Sequence, residues 1–306
     1  MAEVRLPDGY TAHPIDPAAD RARIHALAGA CRRALDDAAT ADPDALATVL
    51  ARTGLDPAAD VVLIHAPDGS LAAWAWTDRR TAVAVHPAHR GRGLGAALLE
   101  WTERRALERG DTVLTQTVDD RNPAATALLH RHGYRPRATN WLLEIPLDGA
   151  ELPPPPAGVT VRPIRVGDAA EEQAVHRLTE EAFGSWSERR RPFEEWAGFH
   201  LHRSTFAPER SPVALVDGRP VGAALALELP GSPDGYVETL AVHHDHRHRG
   251  IARHLLQYSF RACHLAGLRS GTLWTHSGTG ALDLYLKLGM TIRRSTTVVG
   301  RTLVAD

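Results

Sequence analysis

Apolar and polar positions along the chain change period repeatedly, and the succession of periods occurs twice. An apolar stretch of strand length at residues 81–85 leads through a glycine-bearing loop into 96–107, where apolar residues recur at helical spacing. Residues 237–242 lead in the same way through a second loop into a helical pattern that runs to Leu265. Each copy then continues with a strand (112–118 or 270–275), a shorter helix (124–130 or 281–287) and a glycine with an apolar partner (Gly133-Tyr134 or Gly289-Met290). A last strand follows at 141–145 or 296–299. Upstream, the second copy opens on a strand-like segment at 159–164 and an amphipathic helix. A hairpin follows, 213–216 and 221–229 around the turn Asp217-Gly218. Strands and helices mixed in this way predict an α/β (α+β) domain used twice.

The landmarks keep their distance. Gly250 follows Gly93 by 157 residues and Gly289 follows Gly133 by 156. Pro153-Pro154-Pro155-Pro156 falls near the midpoint, and four prolines can neither continue a helix nor occupy a central strand. The 306 residues therefore divide into a domain at 1–150, a proline-rich linker at 151–158 and a domain at 159–306, in keeping with about 150 residues per domain.

Composition narrows the partners. Apolar residues make up 43% and charged residues 24%, ordinary globular values. With 35 Lys and Arg against 37 Asp and Glu, the net charge of -2 gives no global electrostatic case for nucleic acid or an anionic membrane. Cys31 and Cys263 lie in different halves and build neither a disulfide framework nor a zinc knuckle. No apolar run reaches signal-peptide or membrane-span length, so a soluble cytoplasmic protein is expected, monomeric or homodimeric.

The loops carry the chemistry. A strand that ends in Arg-x-x-Gly-x-Gly/Ala and opens a helix gathers unpaired N–H groups and the positive end of a helix dipole, which suits a phosphate. The candidate phosphate contacts are Arg90, Gly91, Arg92, Gly93, Leu94 and Gly95, and then Arg247, His248, Arg249, Gly250, Ile251, Ala252 and Arg253. Neither copy fits the dinucleotide fingerprint or a P-loop.

Val85-His86-Pro87-Ala88-His89-Arg90-Gly91-Arg92-Gly93-Leu94-Gly95 resembles motif A of the GNAT acetyltransferases, and Val242 to Ala252 is a second copy. Asn122, Ala125, Leu128, Leu129, Gly133 and Tyr134 resemble motif B, as do Ala281, Leu284, Tyr285, Gly289 and Met290. The resemblance implies two tandem GNAT-like domains, each a mixed, mostly antiparallel sheet flanked by helices. It also implies acetyl-CoA as cofactor, with its pyrophosphate on the loops. Val83 and Val85, or Leu240, Ala241 and Val242, would contact the cofactor from the strand before each loop, which in the family supplies a backbone N–H to the thioester carbonyl, with Asn122 as a further contact and Ser277 as a candidate for the pantetheine arm.

Acyl transfer to an amine needs a base, donors to the thioester oxygen and an acid for the leaving thiolate. Tyr285 occupies the position of the family's acid. Glu238 is read as general base, directly or through a water, and by period-two alternation shares a face with Leu240 and Val242. The plain alternative for Glu238 is a carboxylate paired with a neighbouring Arg or His. The first half has Leu129 for the tyrosine and no carboxylate in its strand. It is expected to bind acetyl-CoA or only to buttress its partner, without catalysing transfer. The second half departs too, with Gly278 beside Ser277 where the motif B Asn would stand.

Other signals weigh less. His243, His244, His246, His248 and His254 are not read as a metal site, because they straddle a phosphate loop; their protonation would raise cofactor affinity at lower pH. The run Glu188-Arg189-Arg190-Arg191 is a solvated turn or a substrate or CoA 3'-phosphate contact. Phe183, Trp186, Phe193 and Trp196 form core or an apolar acceptor pocket, and Trp74 and Trp76 are core.

The function expected is acetyl transfer from acetyl-CoA to the primary amine of a small molecule, an antibiotic-like, amino-sugar or cysteinyl-sugar compound. Mycothiol synthases share the tandem layout, but their His-Pro-Glu-Gln stretch is replaced here by Gly184-Ser185-Trp186-Ser187, which ranks that acceptor low. The alternatives are a non-catalytic acyl-CoA-binding or sensing protein and, less well supported, a peptidoglycan aminoacyl transferase, for which the basic surface that tRNA needs is missing.

Overall fold

The computed structural model describes residues 4–35, 50, 54–78, 80–149, 151–184 and 190–303. In chain order the first half contains β1 (Thr11–His13), α1 (Arg21–Arg33), α2 (Pro57–Asp60), β2 (Val61–His65), β3 (Leu71–Thr77) and β4 (Arg80–Val85). It continues with α3 (Leu94–Glu108), β5 (Val113–Asp119), α4 (Pro123–Arg131) and β6 (Arg135–Pro146). The second half contains β7 (Thr160–Pro163), α5 (Ala169–Phe183), α6 (Phe193–His200), β8 (Pro212–Val216), β9 (Arg219–Leu227) and β10 (Asp234–Val242). Then come α7 (Ile251–Leu265), β11 (Ser270–His276), α8 (Leu282–Lys287) and β12 (Thr291–Thr302).

Two compact units result, and their division differs from the boundary expected at 151–158. One comprises Met1–Asn140 with Ser295–Asp306, the other Trp141–Arg294. The reason is an exchange of last strands. Residues 296–302 of β12 pair antiparallel with 113–119 of β5. There Val299 is buried with Leu114, Leu129 and Tyr134 of the first unit. Conversely, β6 neighbours β11, and Leu143 is buried in the second unit among Leu255, Leu273 and Tyr285.

The first unit orders its strands β1-β2-β3-β4-β5-β12, and the second β6-β11-β10-β9-β8-β7. The pairs β4/β5 and β10/β11 are parallel. Antiparallel pairs include β2/β3, β3/β4, β8/β9 and β9/β10, so each sheet is mixed and mostly antiparallel, as expected.

The repeat also starts earlier than 159 suggests. Pro7-Asp8-Gly9 and Pro156-Ala157-Gly158 both turn on a positive-φ glycine, at 82° and 73°. A Cβ on Gly93 would lie 3.7 Å from Pro7, and one on Gly250 would lie 3.8 Å from Pro156. The last proline of the linker is therefore a counterpart of Pro7 laid against the second glycine loop.

In the second unit the sheet has an apolar cluster on each face. Residues of α7 and α8 (Ile251, Leu255, Tyr285) pack with Ala224, Val237, Leu240 and Val242. Residues of α5 and α6 (Val175, Leu178, Trp196, Ala197) pack with Ala223, Leu225 and Ala241. The aromatic residues weighed as an acceptor pocket belong to this second cluster. Trp196 is 1% exposed, with Phe183 and Phe193 packed around it, so they are core. Trp186, Glu188 and Arg189 lie outside the described residues. Trp74 and Trp76 pack with Ile15, Ile24 and Leu63, also as core.

Candidate active site

The two glycine loops share their construction. His86 and His243 cap the turns that follow β4 and β10, each accepting from the N–H two residues on at 3.3 Å. Arg90 Nε donates to the Val85 carbonyl and Arg247 Nε to the Val242 carbonyl, both at 3.3 Å. These arginines, expected beside a phosphate, thus brace the end of the strand. Gly93 (φ 85°) and Gly250 (φ 80°) then enter α3 and α7 in the left-handed region. No side chain caps either helix, and the first helical bonds run from Ala97 to Gly93 and from His254 to Gly250. The N–H groups of Leu94, Gly95 and Ala96, and of Ile251, Ala252 and Arg253, are left at an exposed dipole end, the donor set a pyrophosphate requires.

Details separate the loops. A Cβ on Gly95 would come within 3.0 Å of Leu128, so the small residue there lets α4 approach. Where the first loop has Gly91 (φ 75°), the second has His248 at φ 60°, an uncommon backbone for a residue with a Cβ. Arg92 donates to the Tyr10 hydroxyl at 3.0 Å, and Tyr10 also bonds His89 at 3.0 Å. Arg249 instead meets His246 at 3.0 Å.

Ahead of each loop the parallel strand pair separates. β4 and β5 are in register only at Arg80↔Thr115 and Thr81↔Gln116, β10 and β11 only from Asp234↔Ser270 to Val237↔Leu273. Beyond these points, among the described residues, β4 and β10 continue their pairing on the other edge, with β3 and β9. The His243 N–H donates to Val221 in β9, so by alternation Leu240 and Val242 direct their N–H groups into the gap. His86 donates to Ala72 likewise, which places Val83 and Val85 at the first gap. Ala241 does not line the gap: its backbone faces β9 and its methyl is buried.

Glu238 stands where the second gap opens, and there the sheet carries a β-bulge: Val237 is opposite Ala226 and Thr239 opposite Leu225. The bulge overturns the expectation that Glu238 shares a face with Leu240 and Val242. The extra residue resets the alternation. Leu240 and Val242 face α7, whereas the Glu238 carboxylate meets His200 Nδ1 at 3.1 Å and Arg203 Nη1 at 3.0 Å at the end of α6. The neighbouring Arg and His foreseen for Glu238 are both present. No local pattern in the sequence marks either as a partner, since they stand 38 and 35 residues from Glu238.

Tyr285 lies on the other face, 7% exposed, in the cluster that holds Leu240, Val242 and Ile251. Burial pushes its hydroxyl up to about 12. Leu129, its counterpart, is buried core. Asn122 Oδ1 caps α4 by accepting from the Ala125 N–H at 3.1 Å. In the second unit His276 and Thr279 shape the corresponding turn, with Ser277 inside it.

The histidine cluster is not one set. His254 is 4% exposed on α7, and burial lowers its pKa. Among the described residues, His243, His244 and Asp245 bring possible ligand atoms within 4.8 Å of one another, but His243 Nδ1 already accepts from Asp245 N–H and His244 is exposed.

A splayed parallel pair ahead of an uncapped helix is built twice, once in each unit. Residues 34–134 and 172–290 both match the Acetyltransferase (GNAT) family, and the chain belongs to it. A mycothiol acetyltransferase of Nocardia farcinica is 30% identical over 285 residues, 86% of this chain and 90% of the relative. That of Saccharopolyspora erythraea is 27% identical, over 76% and 82%. Among solved structures, a GCN5-related N-acetyltransferase from Sphaerobacter thermophilus matches at 30% identity over 98% of both chains, with a TM-score of 0.77. A tandem GNAT protein of the clavulanic acid biosynthesis pathway, at 18% identity over 97% and 99%, shares the fold with a TM-score of 0.70. No helix among the described residues is long and apolar enough to cross a membrane.

Proposed function

We propose that the protein transfers an acetyl group from acetyl-CoA to the primary amine of a small molecule, with the chemistry in the second unit. The observation that carries this reading is the bulge that sets Glu238 at the opening of the β10/β11 gap. β4 runs past its own gap without a register shift and with Thr81 at the corresponding place. Acetyl-CoA supplies an activated acyl carbon, whose thioester group would lie in the gap. The N–H groups of Leu240 and Val242 would polarise its carbonyl. Glu238, on the α5/α6 face, would take the proton of the incoming amine, and Tyr285, on the α7/α8 face, would protonate the departing thiolate. Base and acid on opposite faces of one gap suit a displacement in which the amine enters from one side and the thiol leaves from the other. The N–H groups of Ile251, Ala252 and Arg253 would hold the pyrophosphate.

For the acceptor, the name shared by the relatives makes the amine precursor of mycothiol the first compound to assay, in a panel with amino sugars and other small primary amines. Thiol release that depends on one of these amines supports the reading. Glu238→Gln is expected to lower kcat about 100-fold. Thiol release with no panel amine, or full turnover by Glu238→Gln, would remove the reading or the assigned base respectively.

Which loop binds is open to calorimetry. A valine at φ 80° is strained whatever the space around it. Gly250→Val should weaken acetyl-CoA binding about tenfold at the second unit, and Gly93→Val should do so only at the first. Equal effects of both variants on a single binding event would contradict this.

A further inference from the structure

We propose that His200 is a positioning residue for the Glu238 carboxylate, locked in one tautomer by Arg191. The inference rests on the reading of Glu238 as base and adds the side chains that aim it. His200 is 6% exposed and wedged between Trp196 and Phe199, with ring centroids 5.2 Å and 4.8 Å away. Both of its nitrogens are engaged. Nδ1 lies 3.1 Å from Glu238 Oε2, and Nε2 lies 3.4 Å from Arg191 Nη1. A guanidinium only donates, so Nε2 must be the accepting nitrogen and the ring proton is on Nδ1, where it donates to the carboxylate.

Arg191 is itself held in place. Its N–H donates to Glu180 Oε2 at 2.9 Å, its carbonyl accepts from His176 Nε2 at 2.8 Å, and its guanidinium stacks on Phe199 at 5.1 Å. Arg203, 5.7 Å from the same ring, takes the other carboxylate oxygen at 3.0 Å. A chain thus runs from α5 through Arg191 and His200 to Oε2, while Arg203 fixes Oε1. A carboxylate held at both oxygens cannot rotate, and its remaining lone pairs keep one direction. The bulge residue needs such support, because bulging removes the ladder partner that would otherwise define its geometry. The first unit has neither the bulge nor a carboxylate at this place, where Thr81 stands.

The test compares His200→Ala, His200→Asn and His200→Gln in the full chain, with acetyl-CoA and the panel amine that gives the fastest thiol release. The asparagine amide nitrogen falls near the position of Nδ1, and the glutamine amide nitrogen near Nε2. His200→Ala is expected to lower kcat about 30-fold with the KM for acetyl-CoA unchanged, since the donor site lies on the other face. His200→Asn is expected to recover kcat to within about threefold of wild type, and His200→Gln is not. Combining His200→Ala with Glu238→Gln should cost no more than Glu238→Gln alone. Unchanged kcat in His200→Ala, equal kcat for Asn and Gln, or full additivity in the double variant would each overturn the positioning role. Full turnover by Glu238→Gln would instead overturn the base assignment beneath it.

Discussion

Tyr285→Phe is expected to lower kcat about 1,000-fold while acetyl-CoA binding stays within about threefold, because the hydroxyl is asked to act only as the thiolate forms. The ring is buried and its packing with Leu240, Val242 and Ile251 is unchanged by removing one oxygen, so folding should be spared. Proton transfer is favourable only if donor and acceptor are matched. Burial pushes the Tyr285 hydroxyl up to about 12, well above an ordinary thiol. A CoA thiolate expelled into a similarly dry site would be raised in the same direction and would accept the proton. The sign for pH follows. Tyr285 stays protonated in the folded protein until about pH 12, so its ionisation should cause no fall in kcat below about pH 11. An unfolded tyrosine ionises near 10, so this group's contribution to stability is complete below pH 10 and is lost as pH rises towards 12. The measurement is kcat by thiol release across pH for wild type and Tyr285→Phe. Wild-type turnover in the variant would remove Tyr285 from the role, and an alkaline fall near pH 9 that the variant abolishes would show that burial does not raise its hydroxyl.

The sequence was informative where a function is built from backbone. Gly93 and Gly250 are legible because no other residue enters a helix easily at φ of 80–85°, and the strand–loop–helix order around them reflects periodicity. Val83, Val85, Leu240 and Val242 come with the motif, and the alternation of their strands turns their N–H groups to the gaps. Glu238 was recognised as a residue but placed on the wrong face, because a bulge has no hydrophobic signature and shifts alternation by one step. His200 and Arg203 leave no local mark in the sequence because they reach Glu238 from 38 and 35 residues away in the chain, through the tertiary packing of α6 on the sheet. Arg90 and Arg247 carried a motif that suggested phosphate contact, yet each turns back to a carbonyl five residues earlier, a local bond that charge counting does not anticipate.

The exchanged strands give the other large effect. A repeat read along the chain assigns residue 299 to the second domain and residue 143 to the first; the structure assigns them the opposite way. Val299 is 1% exposed and buried with Leu114, Leu129 and Tyr134, and Leu143 is fully buried with Leu255, Leu273 and Tyr285. An aspartate at either site would bury an unpaired charge, at a cost of more than about 4 kcal/mol. Val299→Asp should therefore speed hydrogen exchange at residues 94–131 while residues 251–287 remain protected. Leu143→Asp should do the reverse, and it should also abolish acetyl transfer by loosening the packing around Tyr285. Mass spectrometry of amide exchange reads both variants directly. If Val299→Asp instead deprotected 251–287 first, the final strand would belong to the fold that precedes it in sequence, and the division at 140/141 and 294/295 would be wrong. The exchange also means that neither repeat can be cut out at the tetraproline as a complete sheet: a fragment ending there lacks the β12 residues that cover Leu114, and a fragment beginning there lacks Leu143.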